Sequence, residues 1–512
     1  MPAEPTQPED ELLHFMDPVR SRGALEELGQ ATWREALDWL YGRAADRPMG
    51  SHGTYPEDRL SFFGPTGSPA VAPALPAPWR DVLETFRTRI APITYNAQHP
   101  GSFSYFTPPP LPMSIAGEVL GQWIHQGVDV WHAGPVAALV EEEVVSWLRE
   151  LIGMPEGSWG VLTSGGVMAN LMALTVARDI HLAKLQGLPD TPPRGSRLDG
   201  TRIYASDQTH FSVARGMDVL GFPQETLHVV PSDERFRLQA AGVAAAIYQD
   251  RAAGLVPFAI SAVAGSTNTG SVDDVVGLAD LAEREGLWLH VDAAYGGAAR
   301  LSPTTAARVP GLERADSVTV DPHKWFYQGY DIGGLLVRRR EDLRATFHRE
   351  PEYYRTNDPD SEPLNWYHYS IEGTRRFRAL KLWMSWKHLG TEGFASLVEH
   401  DVRLAAHLAE RCRRSTEFQA VPAEPELSVV CFRHVPGGID DGDPRLDAYQ
   451  TRLQRALEVD GTAWVSTTKL RGRTYLRAGF VNYLATEANV DAMLEALQRL
   501  SPAAWAQHAA TT

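Results

Sequence analysis

The middle of the chain alternates between two hydrophobic rhythms, and this limits the fold more than any other feature of the sequence. Short runs rich in apolar and β-branched residues occur at Arg202–Ala205, Leu227–Val230, Phe258–Ala264, Leu287–Val291, Ser317–Val320 and Gly334–Val337. Between several of them lie stretches with helical spacing of apolar residues, Val167–Arg178, Ala240–Asp250 and Leu278–Glu285. Strand, helix and strand in succession predict βαβ units feeding a largely parallel sheet with helices on both faces. Most of the runs are continuously apolar or small, as strands covered on both sides require.

The flanks read differently. Leu25–Arg43 has helical patterning, Gly64–Trp79 carries five prolines and is expected to run extended, and Trp79–Ile90 is again helical. An aromatic and proline-rich stretch, His99–Met113, follows. Towards the C-terminus, helix Leu397–Arg413, strand Leu427–Phe432, helix Asp447–Glu458, strand Thr474–Phe480 and helix Val490–Leu500 predict a small α+β layer. The expected organisation is an N-terminal helical and extended segment (1–98), a large α/β domain (99–395) and a small C-terminal domain (396–512). The first dozen residues read as frayed.

Composition removes several classes of function. With 48 basic and 64 acidic residues the formal charge is −16, which repels phosphate backbones at long range and argues against general nucleic-acid binding. The two cysteines, Cys412 and Cys431, are too few for a structural zinc site; buried free thiols are preferred over a single disulfide. No metal site is expected. The acidic, proline-rich start lacks a basic region before an apolar core, and no apolar run reaches a membrane span, so the expectation is a cytoplasmic protein with no membrane partner.

Four segments carry chemistry. In SVTVDPHKWFYQGYDIGG, Lys324 sits just past a buried strand, between His323 and Trp325. An ammonium there is costly to bury, and a lysine in a dry pocket can form an imine with a carbonyl; the plainer alternative is a surface lysine opening a loop. In LWLHVDAAYGG, Asp292 ends a strand where α/β sheets bind ligands, although aspartate also caps helices. In VLTSGGVMANLMAL, Ser164, Gly165 and Gly166 form a turn into a helix, offering N–H groups and the positive dipole end to a phosphate. In YASDQTHFSVAR, His210 follows a strand and a polar turn, at the same sheet edge as the others. A lone histidine is more often structural than catalytic.

Together the four segments resemble the pyridoxal-phosphate-dependent group II amino-acid decarboxylases, over roughly residues 80–500. The resemblance implies the aspartate-aminotransferase fold (fold type I), a homodimer with its active site at the subunit interface, and pyridoxal 5′-phosphate as cofactor. It implies Lys324 as the Schiff-base lysine, Asp292 as partner of the pyridine nitrogen, Ala294 against one ring face and His210 stacked on the other. Thr267 matches a threonine near the phenolic oxygen. Ser164, Gly165 and Gly166 would hold the phosphate, with His323 nearby. Arg477 in YLRAGF is similar to an arginine near the substrate carboxylate in some members, and RRFRALKLW (Arg375–Trp383) also matches, with its basic residues serving packing and ion pairs.

Departures from the family pattern bear on the phosphate site. Val167 stands where a Ser or Thr is usual, and Asp321 where many members have Asn. An ionised Asp321 beside a phosphate is unfavourable, so it is expected to turn away, cap an N–H or be offset by a cation. GPVAALVEEE keeps the proline and the acidic helix start of the corresponding family segment but loses its Thr-Glu pair.

For the reaction, the resemblance implies α-decarboxylation of an L-amino acid, followed by return of a proton to the α-carbon by a tyrosine on a loop before RRF. Alignment places Trp366 at that tyrosine; Tyr367 is the favoured substitute, with His368, Tyr369, Tyr353 and Tyr354 as others. Phe103, Tyr105 and Phe106 match an aromatic-lined substrate pocket, whereas Asp129 replaces a usual Phe and suits a hydrogen-bonding or cationic group. An aromatic substrate is expected. The alternatives are oxidative decarboxylation to an aldehyde, another fold-type I enzyme such as an aminotransferase, and a binding protein that has lost catalysis.

Overall fold

A computed structural model of the chain describes residues 21–42, 47–50, 54–189, 195–350 and 363–509. The N-terminal residues read as frayed, and Tyr353 and Tyr354, lie outside them. The chain forms two compact units, one of residues 104–443 and 467–483, the other of residues up to 103 with 444–466 and 484–512. These units do not coincide with three consecutive segments. Helices Arg445–Asp460 and Glu487–Ala509 pack on each other in the unit that holds the N-terminal residues, with Tyr449 donating to Ser501 at 2.8 Å and stacking edge-on to Trp505. Periodicity identifies a helix's apolar face but not which part of the chain covers it.

The larger unit is built on seven strands: β1 Trp159–Thr163, β2 Thr201–Ser206, β3 Leu227–Val230, β4 Val256–Val263, β5 Trp288–Asp292, β6 Ser317–Val320 and β7 Gly333–Val337. Their order is β1-β7-β6-β5-β4-β2-β3. Neighbours from β6 through β3 are parallel, while β7 runs antiparallel to both β1 and β6. The expected parallel sheet is thus present with one reversed strand. Because β1 and β6 both oppose β7, β1 runs with the parallel set, and six strands, β1 to β6, bring their C-terminal ends to one edge. Val263, Asp292 and Thr319 are lateral partners there. Both faces are covered, since every residue of β1, β5, β6 and β7 is buried.

A second sheet has the order β10-β11-β9-β8, from Phe418–Ala420 (β8), Val429–His434 (β9), Ser466–Leu470 (β10) and Arg473–Gly479 (β11). β8 and β10 escaped the sequence reading because β8 has three residues and β10 is largely polar, with Thr467 and Lys469 exposed. Among the helices, α1 is Pro112–Ile124, α2 Pro135–Ile152, α3 Gly166–Val176, α4 Ser212–Val219 and α5 Ala379–Arg414. α5 is interrupted at Gly390, whose φ of 63° leaves the helical region. Cys412 and Cys431 are free and buried, and burial pushes both thiols up to about 12. Among the described residues no helix is long and apolar enough to cross a membrane.

One buried ion pair ties α2, β1 and the RRF segment together. Arg375 donates through Nη2 to Glu141 and, at 2.6 Å, to the carbonyl of Leu162, and through Nη1 to that of Val128 at 3.1 Å. Glu141 in turn accepts the Leu162 N–H at 3.0 Å. Both side chains are wholly buried, and the guanidinium lies over the Trp366 ring. Trp366 itself stacks on Trp159 and donates to the Ala138 carbonyl. Removing one partner strands the other charge in the core. Arg375→Met is expected to cost about 3 kcal/mol or more in urea-unfolding experiments, and the double replacement with Glu141→Leu to cost less than the single one.

Candidate active site

The aligned strand ends open onto a cavity of about 360 Å³. Among its lining residues are Ser164, Gly165, Gly166, His210, Thr267, Asp292, Ala294, His323 and Lys324, all nine residues that the sequence assigns to cofactor binding. Each follows a different strand: Ser164–Gly166 after β1, His210 after β2, Thr267 after β4, Asp292 and Ala294 at the end of β5, His323 and Lys324 after β6. Topology, not sequence proximity, gathers them.

Close approach governs the first of these turns. A Cβ at Gly166 would lie 2.8 Å from Asp321 Oδ2, and one at Gly333 would lie 2.5 Å from the Gly165 Cα, so only glycine lets β1, α3 and β7 meet here. The chain entering α3 therefore faces the cavity as bare backbone at Gly165 and Gly166, beside Val167 and Met168, and the first N–H groups of the helix have no acceptor within it. After β4, Gly265 adopts φ 93°, and a Cβ there would strike the Tyr295 ring at 2.7 Å.

Lys324 is fixed by a tight turn in which its N–H donates to the Asp321 carbonyl, while His323 N–H and Nδ1 both reach the Ile332 carbonyl. Lys324 Nζ lies 3.1 Å from Asp321 Oδ2, and His323 Nε2 lies 3.8 Å from the same oxygen. Asp321 does not turn away from the cavity; of the three expected outcomes, offset by a cation is the one found. Its Oδ1 is buried with no hydrogen-bond partner among the described residues. Burial lowers the pKa of His323, against the raising effect of Asp321.

Asp292 is almost fully buried and accepts from the Ala294 N–H through Oδ1 at 3.1 Å and from Asn170 Nδ2 through Oδ2 at 2.7 Å. His210 Nδ1 faces Ser212 Oγ at 2.8 Å, and its pKa is lowered first by burial and then by Lys324, with Asp292 pulling the other way. Ala294 lies opposite the glycine turn, its Cβ 3.5 Å from where a Gly166 Cβ would stand.

Residues assigned to the substrate are placed less uniformly. Phe106 stacks on Tyr295 at 4.2 Å, Tyr295 on Trp325 at 4.9 Å, and Lys324 Nζ is 6.0 Å from the Phe106 ring centre. Arg477 is buried beside this stack, 4.8 Å from the Phe106 ring, with Nε donating to the Thr267 carbonyl and Nη1 to that of Ser104. Phe103 is fully buried in the other unit, its N–H donating to Trp464, and Tyr105 is exposed. Tyr367 and Asp129 lie together, the Tyr367 N–H donating to the Asp129 carbonyl, and neither lines the cavity of its own chain. Asn170, Tyr295 and Tyr330 line the cavity but were missed from sequence. Asn170 could have been found as the residue one helical turn beyond Gly166, facing the same edge.

The chain matches the pyridoxal-dependent decarboxylase conserved domain over residues 65–435. It belongs to that family. It is similar to an aromatic-L-amino-acid decarboxylase of Bacillus atrophaeus, 34% identical over 79% of this chain and 81% of the relative. An L-2,4-diaminobutyrate decarboxylase of Acinetobacter baumannii is 31% identical over 77% and 79%. The crystal structure of Oryza sativa TDC with PLP and tryptamine superposes with a TM-score of 0.86 at 26% identity, covering 95% of this chain and 99% of that one. The enzyme is a pyridoxal-phosphate-dependent amino-acid decarboxylase of fold type I, acting on a small-molecule substrate.

The residues present fit that cofactor. The cavity joins a primary amine, a buried carboxylate, a bare helix N-terminus cleared by glycines and two flat surfaces, the donor set that an aldehyde, a ring nitrogen, a phosphate and an aromatic ring each need. Asp321 is the one discordant group, a carboxylate against the glycine turn.

Burial holds the cavity's histidines neutral near pH 7. Histidine-selective NMR titration of the apoprotein is expected to place His290, the buried neighbour of Asp292, at about 4, and His210 and His323 below the ordinary value of about 6.5. For these groups acidification from about 6.5 towards 4 costs stability, because the unfolded chain takes up protons that the folded one refuses.

Proposed function

We propose that this enzyme decarboxylates an aromatic L-amino acid to the amine, and that Lys324, Asp292 and His210 carry the chemistry. The observation behind the substrate class is the Phe106–Tyr295–Trp325 stack beside Lys324, an aromatic cluster that reaches the cavity at Tyr295 and suits an aromatic side chain. The 34% identity to an aromatic-L-amino-acid decarboxylase supports the same reading.

When bound, pyridoxal phosphate supplies the ring that takes up the electron pair left as carbon dioxide departs. Lys324 would hold the cofactor through its amine, Asp292 would keep a proton on the ring nitrogen, and His210, Ala294 and Thr267 would confine the ring. The Ser164–Gly166 turn and His323 would receive the phosphate. Arg477, whose Nε and Nη1 are occupied by carbonyls, braces the Phe106 ring of the aromatic stack.

The acid for the α-carbon is Tyr367, acting in the partner's cavity of a homodimer, and Asp129 and Tyr105 line the substrate pocket, whereas Phe103, wholly buried, packs within its own unit. Support for the dimer comes from an apolar surface: Val119, Leu120, Trp123 and Ile124 of α1 are exposed, as are Val136 and Leu139 of α2, and the Asp129 segment joins these two helices. A second reading follows from the same loop. Where no group delivers that proton in time, oxygen and water are consumed and the products are the aldehyde, carbon dioxide, ammonia and hydrogen peroxide.

Incubating holoenzyme with L-tryptophan, L-tyrosine, L-phenylalanine, L-histidine and L-2,4-diaminobutyrate tests substrate and product together, by mass spectrometry and a coupled peroxide assay. Amine from an aromatic substrate is expected, with Phe106→Ala lowering kcat/KM about fivefold to tenfold. A preference for diaminobutyrate would overturn the aromatic assignment. Tyr367→Phe is expected to shift product from amine to aldehyde and peroxide; an unchanged ratio would remove Tyr367 as the acid. For the dimer, sedimentation should show wild-type protein at twice the chain mass and Trp123→Glu as a monomer.

A further inference from the structure

Behind the cavity, a chain of buried polar side chains runs from the core to His210, and its donors and acceptors can be ordered from its two ends. Trp288 Nε1 is a donor only, and it lies 3.0 Å from Ser317 Oγ. That hydroxyl accepts from Trp288 and, because the Asp292 carboxylate at the far end claims the Asn170 NH₂ and leaves His290 Nε2 as the donor to Asn170 Oδ1, it turns its own proton to His290 Nδ1, 2.9 Å away. His290 is neutral, since burial pushes its pKa down to about 4, so its single proton lies on Nε2 and is donated to Asn170 Oδ1 at 3.0 Å. Thr319 Oγ1 donates to the same oxygen at 2.6 Å. With its oxygen held by two donors, Asn170 can only present its NH₂ on the other side. There it meets Asp292 Oδ2 at 2.7 Å and Ser212 Oγ at 2.8 Å. Ser212 Oγ, accepting from Asn170, sends its proton to His210 Nδ1 at 2.8 Å, and the Ser212 N–H points at the same ring nitrogen from 3.3 Å.

We propose that Asn170 is a positioning residue for this active site: it fixes the Asp292 carboxylate and, through Ser212, presents His210 to the cavity as the tautomer with its proton on Nε2. The proposal rests on the reading of Asp292 and His210 given above. Asn170 is 1% exposed, and Ser212 and Thr319 are wholly buried, so water does not compete for these bonds. The amide satisfies both of its donors and both lone pairs of its oxygen, and the reversed orientation would set its oxygen against a carboxylate. A fixed Nε2–H makes His210 a hydrogen-bond donor towards the cavity and excludes it as a base at that atom. Asp292 and His210 are thus held by one amide, although they follow β5 and β2.

Three measurements test this. In wild-type apoprotein and holoenzyme with nitrogen-15 histidine, the His210 signal, assigned through His210→Gln, is expected to show protonated Nε2 and bare Nδ1 at neutral pH. The opposite tautomer, or a mixture, would overturn the proposal without any variant at position 170. Asn170→Asp keeps shape but replaces the donor with an oxygen, and Asn170→Ala removes both. Each holoenzyme is expected to lose pyridoxal phosphate on dilution at least about tenfold faster than wild type, and the pH dependence of the bound cofactor's absorbance should shift. Wild-type retention and an unmoved pH profile in both variants would sink it. Asp292→Ala separates this from the underlying reading. If that variant keeps the cofactor as wild type does, the assignment of Asp292 itself fails; if it loses the cofactor while the Asn170 variants retain it, only the role of Asn170 fails.

Discussion

Strands β1, β2, β4, β5 and β6 point the same way, and each reactive side chain is carried on the residues just after one of them. Parallel strands need a crossover between each pair, so consecutive ends are separated by tens of residues in sequence but by one strand spacing in space. Val263, Asp292 and Thr319 are lateral partners for that reason. The strands are buried on both faces, which leaves their ends little freedom to move. A site built on them inherits the rigidity of the sheet, and loops supply only the contacts at its mouth. β7 enters this edge in the opposite direction, and its Gly333 is what allows the glycine turn after β1 to close against Asp321.

Charge is managed differently in two places. The Glu141–Arg375 pair meets backbone groups on several sides, with Leu162 contributing both its N–H and its carbonyl, although Glu141 Oε2 and Arg375 Nε have no hydrogen-bond partner among the described residues. It acts as a fastener between segments far apart in sequence. Asp321 has one cation for company, Lys324 at 3.1 Å, with the neutral His323 ring at 3.8 Å, and one of its oxygens is unpartnered. A carboxylate so placed competes with any other anion for the positive end of α3. The first arrangement resists change, while the second responds to whatever occupies the cavity.

Much of this was legible in the residues. The runs around β2 to β7 read as strands because tertiary burial and local pattern agree, and the motifs at 164–166, 210, 292 and 323–324 fell at strand ends where chemistry is expected. Other features were hidden for physical reasons. β10 carries Ser466 and Thr468 on its less exposed side as well as Thr467 and Lys469 on the exposed one, so no apolar alternation marks it. The reversed direction of β7 leaves no trace in a continuously apolar strand. Asn170 looked like one polar residue in an apolar helix, and its importance depends on His290, Thr319 and Ser212, which no local spacing connects to it. Tyr367 stands one residue beyond the aligned position, and a place near RRF does not decide which cavity a side chain reaches.

The unit that contains the N-terminal residues also needs residues 444–466 and 484–512, and this orders events at the ribosome. Residues 104–443 must be synthesised before helices Arg445–Asp460 and Glu487–Ala509 exist to complete it. During elongation the described residues before 104 wait for the rest of their unit, a period in which a nascent chain is most open to chaperones and to aggregation.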